Sequence, residues 1–246
     1  MAQEKLIGKI AVITGGARGI GYAIAERLLD EGVRVAFCSR RPDSVDSAVA
    51  RLSAKAGAQV FGFAADVSVL DDVRRFIAAV VDRFGGIDIL VNNAAVRTYK
   101  SVMDLEPADW ERMLAVNLSG AYYTSHLVLP IFKTRGGGDI VNISSLSSTS
   151  AFAGGAGYNA SKAGLNGLSD ATMLDHRYDG VRVSEVMPGS TDTEFSGSPA
   201  ANAPPADWKA APEDIADAVA MLLQMPRRTT VSRVDVKPSR PPRKGS

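Results

Sequence analysis

The sequence has very few of the residues that build disulfide frameworks and histidine metal sites. Its 246 residues include one cysteine, Cys38, and two histidines, His126 and His176. One cysteine cannot form a disulfide within the chain, which fits a reducing compartment. The histidines are too few and too isolated for a histidine-built site, so we expect both to lie in helices and we expect no bound metal.

Long apolar runs and a large excess of one charge are also missing. No stretch approaches the ~18 consecutive apolar residues of a membrane span, and Met1–Lys5 lacks the sections of a signal peptide. Lys and Arg number 28 against 27 Asp and Glu, a net charge of +1, whereas proteins that bind nucleic acid are usually more basic. We therefore expect a cytoplasmic protein with no nucleic-acid or membrane partner.

Basic residues are concentrated in the C-terminal tail, residues 227–246. Seven basic residues stand there against one acid, a local net charge of +6. A solvated basic terminus that aids solubility is the interpretation we prefer. The alternative is a surface for an acidic partner or substrate.

Hydrophobic residues make up 46% of the chain, and they alternate between strand-like and helix-like segments. Short β-branched runs predict strands at Lys9–Thr14, Val33–Cys38, Val60–Ala64, Ile87–Val91, Asp139–Ile143, Val181–Met187 and Val231–Val236. Apolar spacing predicts helices at Ile20–Asp30, Val45–Ala56, Val69–Phe84, Pro107–Lys133, Tyr158–Tyr178 and Pro212–Gln224. The alternation predicts one α/β domain over residues 1–246, with a doubly wound parallel sheet of about seven strands and helices on both faces.

Two segments depart from this regular pattern. Asn117, Gly120 and Pro130 interrupt the predicted helix Pro107–Lys133. Residues 190–211 are rich in Ala, Ser, Pro and Gly, and they are too long for a routine connection. We expect this second segment to be a substrate lid, the alternative being a variable surface insertion. Its aromatic residues Phe195 and Trp208 either line an apolar pocket or anchor the lid.

A glycine cluster, TGGARGIG at Thr14–Gly21, lies between the first predicted strand and the first predicted helix. Glycines allow a tight turn and close approach to a ligand, and a helix N-terminus offers N–H groups to phosphate. The spacing Gly15-x-x-x-Gly19-x-Gly21 differs from the general Gly-x-Gly-x-x-Gly fingerprint. The flanking strand and helix favour a nucleotide site over a plain turn.

The second predicted strand ends in Cys38-Ser39-Arg40-Arg41, without an acidic residue. Folds of this type often place Asp or Glu there to bind the ribose hydroxyls of NAD. Ser39 and Arg40, with Arg18 from the glycine turn, can instead accommodate a 2′-phosphate, which a carboxylate would repel. Although these arginines can also be plain surface residues, their position favours NADP(H) over NAD(H).

Tyr158 and Lys162 stand four residues apart in a predicted helix, so they face the same way. A free tyrosine has a pKa near ~10, and a nearby ammonium favours the phenolate. We therefore expect Lys162 to lower the pKa of Tyr158. Ser144 and Ser145 end the fifth predicted strand, at the sheet edge that carries the glycine turn, where a hydroxyl can hold a substrate carbonyl.

The ordered set of motifs resembles the classical short-chain dehydrogenases/reductases, from Lys9 to about Gln224. The motifs stand in the family's order: Thr14–Gly21, Asp66-Val67, Asn92-Asn93-Ala94-Ala95, Asn117, Ser145, Tyr158–Lys162, Pro188-Gly189 and Thr193. Each is weak alone, whereas the ordered set is specific. The resemblance implies a Rossmann-like fold and a catalytic set of Asn117, Ser145, Tyr158 and Lys162.

The resemblance also implies a role for each residue. Tyr158 would be the general acid in reduction and the base in oxidation, while Lys162 would also bind the nicotinamide ribose. Ser145, rather than Ser144, would hydrogen-bond the substrate oxygen, and Asn117 would hold a water that links Lys162 to solvent. Asp66 would bind the adenine amino group beside the Val67 backbone. Asn92 and Ala94 would lie along the adenosine ribose and support the sheet, and Thr193 would contact the carboxamide. The complete cofactor set is Gly15, Arg18, Gly19, Ile20, Gly21, Ser39, Arg40, Asp66, Val67, Asn92, Ala94, Tyr158, Lys162, Pro188, Gly189, Thr191 and Thr193.

Two positions and the C-terminal segment depart from the family pattern. Ala95 replaces a usual Gly, and Ser184 stands near a usual Asn. The ending VSRVDVKPSRPPRKGS lacks the glycine-rich strand of many members and looks more like reductases related to 3-hydroxy acid dehydrogenases.

The family implies an NADP(H)-dependent carbonyl reductase or alcohol dehydrogenase acting on a small molecule, in a homo-oligomer, either a dimer or a tetramer. The alternatives are a 3-oxoacyl-[acyl-carrier-protein] reductase, a 3-hydroxy acid dehydrogenase and a non-catalytic NADP-binding sensor. An acidic carrier protein would suit the basic tail, and the intact catalytic set argues against the sensor.

Overall fold

A computed structural model describes residues 4–56, 59–193 and 207–242. Within these ranges the seven strands pair in parallel to form one sheet. The strands are β1 (Ile10–Thr14), β2 (Arg34–Ser39), β3 (Val60–Ala64), β4 (Ile89–Asn92), β5 (Gly138–Ile143), β6 (Val181–Pro188) and β7 (Arg233–Val236). Their order in the sheet is β3-β2-β1-β4-β5-β6-β7. The order reverses between β1 and β4, and the crevice beyond the strand ends at such a point is where doubly wound sheets bind ligands.

Helices cover both faces of the sheet. They are α1 (Gly19–Asp30), α2 (Pro42–Ala56), α3 (Leu70–Phe84), α4 (Pro107–Leu114), α5 (Gly120–Arg135), α6 (Ala156–His176) and α7 (Pro212–Leu223). One apolar core joins β1 to α1, α2 and α7, and includes Ile13, Leu28 and Val219. A second core on the opposite face joins the sheet to α3 and α5, and includes Phe76 and Phe132. All five residues of β1 are buried because the strand is covered on both faces.

The predicted fold class is confirmed, and most predicted boundaries differ by one to three residues. β2 begins at Arg34 instead of Val33, and α6 begins at Ala156, two residues before Tyr158. The segment near Val231–Val236 does form a strand, although it is limited to β7. His126 lies in α5 and His176 closes α6, as expected from their sequence context.

The predicted helix Pro107–Lys133 consists of α4, a π-helical turn at Ala115–Ser119, and α5. In the turn, the Gly120 N–H bonds to the Ala115 carbonyl, which is the wider i→i+5 pattern. Asn117 occupies this turn, which explains why the apolar periodicity is interrupted there. Such turns occur frequently at functional sites.

The predicted lid can be described only at its two ends. Thr191 and Ala210 pair as an isolated parallel bridge, and the Asp192 N–H donates to the Ala210 carbonyl at 2.9 Å. Phe195 lies outside the described residues. The lid function of residues 190–211 stays a prediction.

Part of the C-terminal tail forms β7, and several of its basic side chains form ion pairs. Arg227 pairs with Asp139 at 3.0 Å, Arg233 with Glu185 at 2.8 Å, and Lys237 with Asp235 at 2.7 Å. Three of its basic side chains are therefore neutralised by acids of the same chain. In the part of the chain that the structure describes, no helix is long and apolar enough to cross a membrane.

Candidate active site

Two adjoining cavities open at the C-terminal edge of the sheet. The smaller cavity lies over β1, β2 and the start of α1, and its lining includes Gly15, Arg18, Gly19, Ile20, Ser39, Arg40, Asp66, Val67, Asn93, Ala94 and Thr193. The larger cavity, of about 620 Å³, lies over β5 and β6, and its lining includes Ser144, Ser145, Tyr158, Lys162, Pro188, Gly189, Thr191 and Thr193. Both linings share Ile20, Asn93, Ala95 and Thr193. A dinucleotide held in the first cavity can therefore extend into the second.

The glycine turn requires glycine at two positions, at one for its backbone conformation and at the other for lack of space. Gly19 opens α1 with a φ of 54°, a left-handed conformation that favours glycine. A Cβ on Gly21 would stand 2.4 Å from the Asn93 Nδ2 and from the Gly15 carbonyl oxygen. The start of α1 therefore carries no side chain at Gly19 or Gly21, and a helix N-terminus of this kind can bind an anion.

The glycine turn is fastened to the loop after β4 by Thr14 and Asn93. The Thr14 Oγ1 accepts from the backbone N–H groups of Asn93 and Ala94, each at 3.0 Å. The Asn93 Nδ2 donates to the carbonyls of Thr14 and Gly15 at 2.9 and 3.2 Å. Both residues stood inside predicted motifs, yet sequence reasoning gave neither of them a role.

Asn93, and not Asn92, lines the smaller cavity. The Asn92 side chain is 5% exposed and donates to the Asn142 Oδ1 at 2.9 Å, while its Oδ1 accepts from Thr124 at 2.6 Å. It therefore links β4 to β5 and α5. These buried amide bonds support the sheet and keep the Asn92 side chain out of the cavity, while the place of Asn92 along a ribose stays a prediction.

Positive charge lies at the β2 end of the smaller cavity. Arg18 and Arg40 are exposed and both contribute to its lining, together with Ser39. Arg41 follows in the sequence and lies outside that lining. The cavity therefore has two guanidinium groups where the sequence analysis placed a 2′-phosphate.

Asp66 also lines this cavity, and its carboxylate is bound by the guanidinium of Arg112. Its Oδ1 accepts from the N–H and hydroxyl of Ser68 at 2.9 and 2.7 Å, and its Oδ2 accepts from Arg112 at 2.8 Å. Burial acts to raise the pKa of Asp66, but the bonds from Ser68 and Arg112 lower it more, so the carboxylate stays ionised. Arg112 comes from α4, 46 positions away, and no local motif signals this contact.

Ser145, Tyr158 and Lys162 meet at the floor of the larger cavity. Ser145 follows β5; its Oγ accepts from the Ser147 N–H at 3.2 Å, and its hydroxyl acts to lower the pKa of the Tyr158 phenol beside it. Ser144 is 3% exposed and contacts Asn166 at 2.7 Å. Ser145 is thus the serine next to the phenol, as the resemblance implied, and Ser144 belongs to the buried layer below it.

Burial raises the pKa of Tyr158 to about 12, while the Ser145 hydrogen bond acts in the opposite direction. The sequence analysis expected Lys162 to lower this pKa. Instead, the Lys162 Nζ donates to the Ile143 carbonyl at 2.7 Å and lies 5.9 Å from the centre of the Tyr158 ring. At neutral pH the phenol therefore keeps its proton, which is the form that a general acid needs.

The Lys162 ammonium is deeply buried, with 2% of the residue exposed. Burial lowers the pKa of Lys162 to about 8, and the negative charge of Glu185 acts against that shift. The ammonium and the neutral form are therefore both accessible near physiological pH.

Asn117 lies behind this group and is 1% exposed. Its Oδ1 accepts from the Val96 N–H at 2.8 Å, and its Nδ2 donates to the Val96 carbonyl at 2.9 Å and to Ser161 at 3.0 Å. Its side chain therefore joins the π-helical turn to the loop after β4 and to α6. The water-holding role that the resemblance implies for Asn117 stays a prediction.

The outer wall of the larger cavity combines aromatic and charged groups. The Tyr99 ring lies 6.2 Å from Tyr158 and 5.2 Å from Phe152, in edge-on arrangements. Arg97 stacks over Tyr99 at 5.1 Å. Trp208 is half-buried but lies outside the lining, to which its neighbour Lys209 contributes instead. Both expectations for Trp208, the pocket wall and the lid anchor, stay predictions.

Comparison with known proteins places these features in one family. The profile of the family described as short chain dehydrogenase matches residues 9–203. An uncharacterized oxidoreductase of Staphylococcus saprophyticus is 33% identical, over 95% of this chain and 99% of its own length. The alcohol dehydrogenase of the archaeon Thermococcus sibiricus, solved with 5-hydroxy-NADP, is 32% identical with a TM-score of 0.85, over 96% of this chain and 99% of its own. A metagenomic short-chain oxidoreductase in complex with NADP is 36% identical with a TM-score of 0.83, over 97% of this chain and 100% of its own.

Proposed function

The chain belongs to the short-chain dehydrogenase family of oxidoreductases, and from that premise we propose that it is an NADP(H)-dependent reductase of a small carbonyl compound. The observation that supports this most is the meeting of Ser145, Tyr158 and Lys162 on the floor of one cavity. That cavity is continuous with the glycine-lined cavity at the start of α1. Hydride transfer needs this adjacency, because the cofactor and the substrate must share one space.

The smaller cavity fits a dinucleotide, because Gly15 and Gly19 line it without side chains and the first residues of α1 form part of its wall. The full cofactor set given above, apart from the Asn92 side chain, is carried over to this proposal. The support for NADP(H) is the pair Arg18 and Arg40 and the lack of an acid after β2. The two solved relatives were crystallised in complex with 5-hydroxy-NADP and with NADP, respectively.

The bound cofactor would supply the hydride, and the chain would supply position and the proton. Ser145 would donate a hydrogen bond to the substrate oxygen beside Tyr158. Tyr158 would pass its hydroxyl proton to that oxygen as negative charge develops there. Lys162 would hold the nicotinamide ribose, and Asn117 would keep its turn of the helix against α6. In the oxidising direction Tyr158 would take the proton back.

The alternatives have weaker support. A 3-oxoacyl-[acyl-carrier-protein] reductase would need a basic docking surface, but Arg227, Arg233 and Lys237 of the tail are paired with acids of this chain. A 3-hydroxy acid dehydrogenase would use the same catalytic groups, so the substrate panel below includes its products. A non-catalytic NADP-binding sensor has no need for a hydrogen-bonded Ser145 and Tyr158 pair over a buried lysine. A cytoplasmic location and a homo-oligomeric state stay predictions.

The deciding experiment is reduced-cofactor consumption over a panel of ketones, aldehydes, 3-oxo acids and 3-oxoacyl thioesters, with NADPH and NADH run in parallel. We expect turnover with NADPH, and a loss of about a hundredfold or more in kcat for Tyr158→Phe. The matched control is Tyr178→Phe, because Tyr178 is 89% exposed and distant from the cavities. NADPH binding without turnover on any substrate would favour the sensor, and turnover that survives Tyr158→Phe would overturn the proposed mechanism.

A further inference from the structure

A buried carboxylate, Glu185, lies below the proposed catalytic groups and has no part in the mechanism described so far. It stands on β6 next to Ser184 and is 1% exposed. An ionised side chain in such a position is costly unless other groups pair with it. The contacts of Glu185 therefore show which groups stabilise the buried carboxylate and which groups it connects to.

The first set of contacts leads to the catalytic lysine through Asn166. With its amide nitrogen facing the acceptors, Asn166 lies 3.1 Å from the Glu185 Oε1, 3.1 Å from the Lys162 carbonyl oxygen and 2.7 Å from the Ser144 Oγ. Its oxygen then accepts from Ser148 at 2.9 Å. Asn166 is one helical turn after Lys162, so both side chains lie on one face of α6. The Asn166 amide thus connects the Glu185 carboxylate to the helix turn that carries Lys162 and to the hydroxyls of Ser144 and Ser148.

The second set of contacts leads outward to β7. The Arg233 Nε donates to the Glu185 Oε2 at 2.8 Å, and the Arg233 Nη2 donates to Asp170 at 2.6 Å. Burial raises the pKa of Glu185, and hydrogen bonds from Ser169 and Arg233 act to lower it. Arg233 therefore acts against the effect of burial and favours the ionised carboxylate.

Lys162 needs a negative charge nearby. Within the described ranges its ammonium donates to a neutral carbonyl, that of Ile143, and burial favours loss of its proton. Among the described residues, Glu185 is the ionised group whose charge acts to keep that proton.

The remaining charged groups around β6 are engaged with partners of their own. β5 presents the neutral Asn142 in register with Glu185, and α7 packs on the opposite face of the sheet, with Val186. Ion pairs among the described residues of β6 and its neighbours are Asp235 with Lys237, Asp139 with Arg182 and Arg227, Asp170 with Arg233, and Asp179 with His176 and Lys133.

We propose that Glu185 is a positioning residue for Lys162: through Asn166 it fixes the helix turn that carries the lysine, and its charge keeps the lysine an ammonium. The catalytic meaning of this inference rests on the proposed function. The charge state of Lys162 is nevertheless measurable without cofactor or substrate.

The test is an NMR titration of protein labelled with 13C at the lysine Cε, in which Lys162→Arg identifies the Lys162 signal. We expect a titration midpoint near 8 in the wild type and a midpoint about one pH unit lower in Glu185→Gln. Glu185→Asp keeps the charge and should stay much closer to the wild type. Asp170→Asn is the matched control, because it removes the outer acid of the same Arg233, is 54% exposed, and should leave the midpoint unchanged.

An equal midpoint in the wild type and Glu185→Gln would overturn the proposal, as would equal shifts in Glu185→Gln and Glu185→Asp. Where Glu185→Gln does not fold, the double variant Glu185→Gln/Arg233→Gln removes both charges of the pair, and a downward shift is again expected. With an active wild type, the alkaline limb of kcat should move to lower pH in Glu185→Gln and not in Asp170→Asn. A wild type that reduces no carbonyl compound would overturn the proposed function, while the titration would still decide the inference about Glu185.

Discussion

Arg40 and Arg41 are adjacent exposed arginines, of which only Arg40 contributes to the lining of the smaller cavity among the described residues. We expect Arg40→Asp to raise the Kd of NADPH at least about tenfold, because it replaces an attraction for the 2′-phosphate with a repulsion. The Kd of NADH should change much less. Cofactor fluorescence titration measures both values.

Arg41→Asp is the matched control, since it makes the same charge change one residue further from the cavity. It should alter both cofactors slightly and to a similar extent, with an effect that salt removes. Equal losses for NADPH and NADH in Arg40→Asp would rule out a specific contact with the 2′-phosphate.

Gly21 in α1 and Gly167 in α6 differ in how much space surrounds them, so we expect only Gly21 to be required. A Cβ on Gly21 would stand 2.4 Å from two atoms, whereas a Cβ on Gly167 in α6 would meet nothing within 4 Å. We expect Gly21→Ala to weaken NADPH binding at least about tenfold and to cost about 1–3 kcal/mol of stability through overpacking. Gly167→Ala should raise stability by up to about 1 kcal/mol and leave binding unchanged. Thermal unfolding and fluorescence titration distinguish the two variants. Normal NADPH binding by Gly21→Ala would show that the glycine turn does not need a glycine at this position.

The residues of the site were predictable where a motif is local, and not where contacts join distant parts of the chain. Gly21 and Lys162 could be assigned from short spacings. Arg112 reaches Asp66 across 46 positions, and Arg233 reaches Glu185 across 48. Neither contact has a periodicity or a composition that points to it, so only the folded chain reveals them.

At the scale of elements, the π-helical turn Ala115–Ser119 joins the cofactor loop to the catalytic helix through one side chain. Asn117→Ala removes two bonds to Val96 and one to Ser161, all from a buried amide. We expect a loss of about 2 kcal/mol in the free energy of unfolding, because buried backbone groups lose their partners. We also expect a fall in kcat, since the turn contacts α6. Urea unfolding and steady-state kinetics measure the two effects.

Asn159→Ala is the control, because Asn159 has a bond to the Phe152 carbonyl at 3.3 Å and lies nearer the surface. It should cost much less stability than Asn117→Ala. A variant Asn117→Ala as stable as the wild type would show that the turn does not depend on this amide.

Strand and helix alternation was predictable because the apolar periodicity of each segment is strong. The boundary at α6 was missed by two residues because Gly157, a weak helix former, stands just before Tyr158. The π-helical turn was visible only as an interruption at Asn117, since one extra residue in a helix changes the apolar spacing without identifying its cause. The direction of strand pairing came from the general rule for such alternation.

At the scale of the whole molecule, burial decides the charge states at the site, and sequence spacing could not provide it. The four-residue spacing of Tyr158 and Lys162 suggested a phenol made more acidic by an ammonium. In the folded chain, burial raises the pKa of Tyr158 to about 12 and lowers the pKa of Lys162 to about 8. Each group therefore favours its neutral form more than the free side chain does, because both are removed from water.

This burial makes the stability of the protein depend on pH in a direction that can be stated. The pKa of Lys162 is about 8 in the folded chain against an ordinary value of 10.5. Below pH 8 both states hold the proton, and the cost of burying the ammonium is fully present. Between these two values the unfolded chain binds more protons than the folded chain, so this group makes stability rise with pH.

Lys162→Met removes the buried charge at similar volume, so we expect it to be inactive yet more stable than the wild type at pH 7. The gain in the free energy of unfolding should be about 2 kcal/mol. It is smaller than the full cost of burying the ammonium, because the Ile143 carbonyl loses its hydrogen-bond donor in the variant. The gain should shrink as pH rises from 8 to 10.5, because the wild type recovers that stability. Urea unfolding at pH 7 and pH 10 measures it. Lys133→Met, at a side chain that is 73% exposed, should show no such pH dependence. A Lys162→Met protein less stable than the wild type, by the same amount at both pH values, would mean that packing and hydrogen bonding, and not charge burial, govern this position.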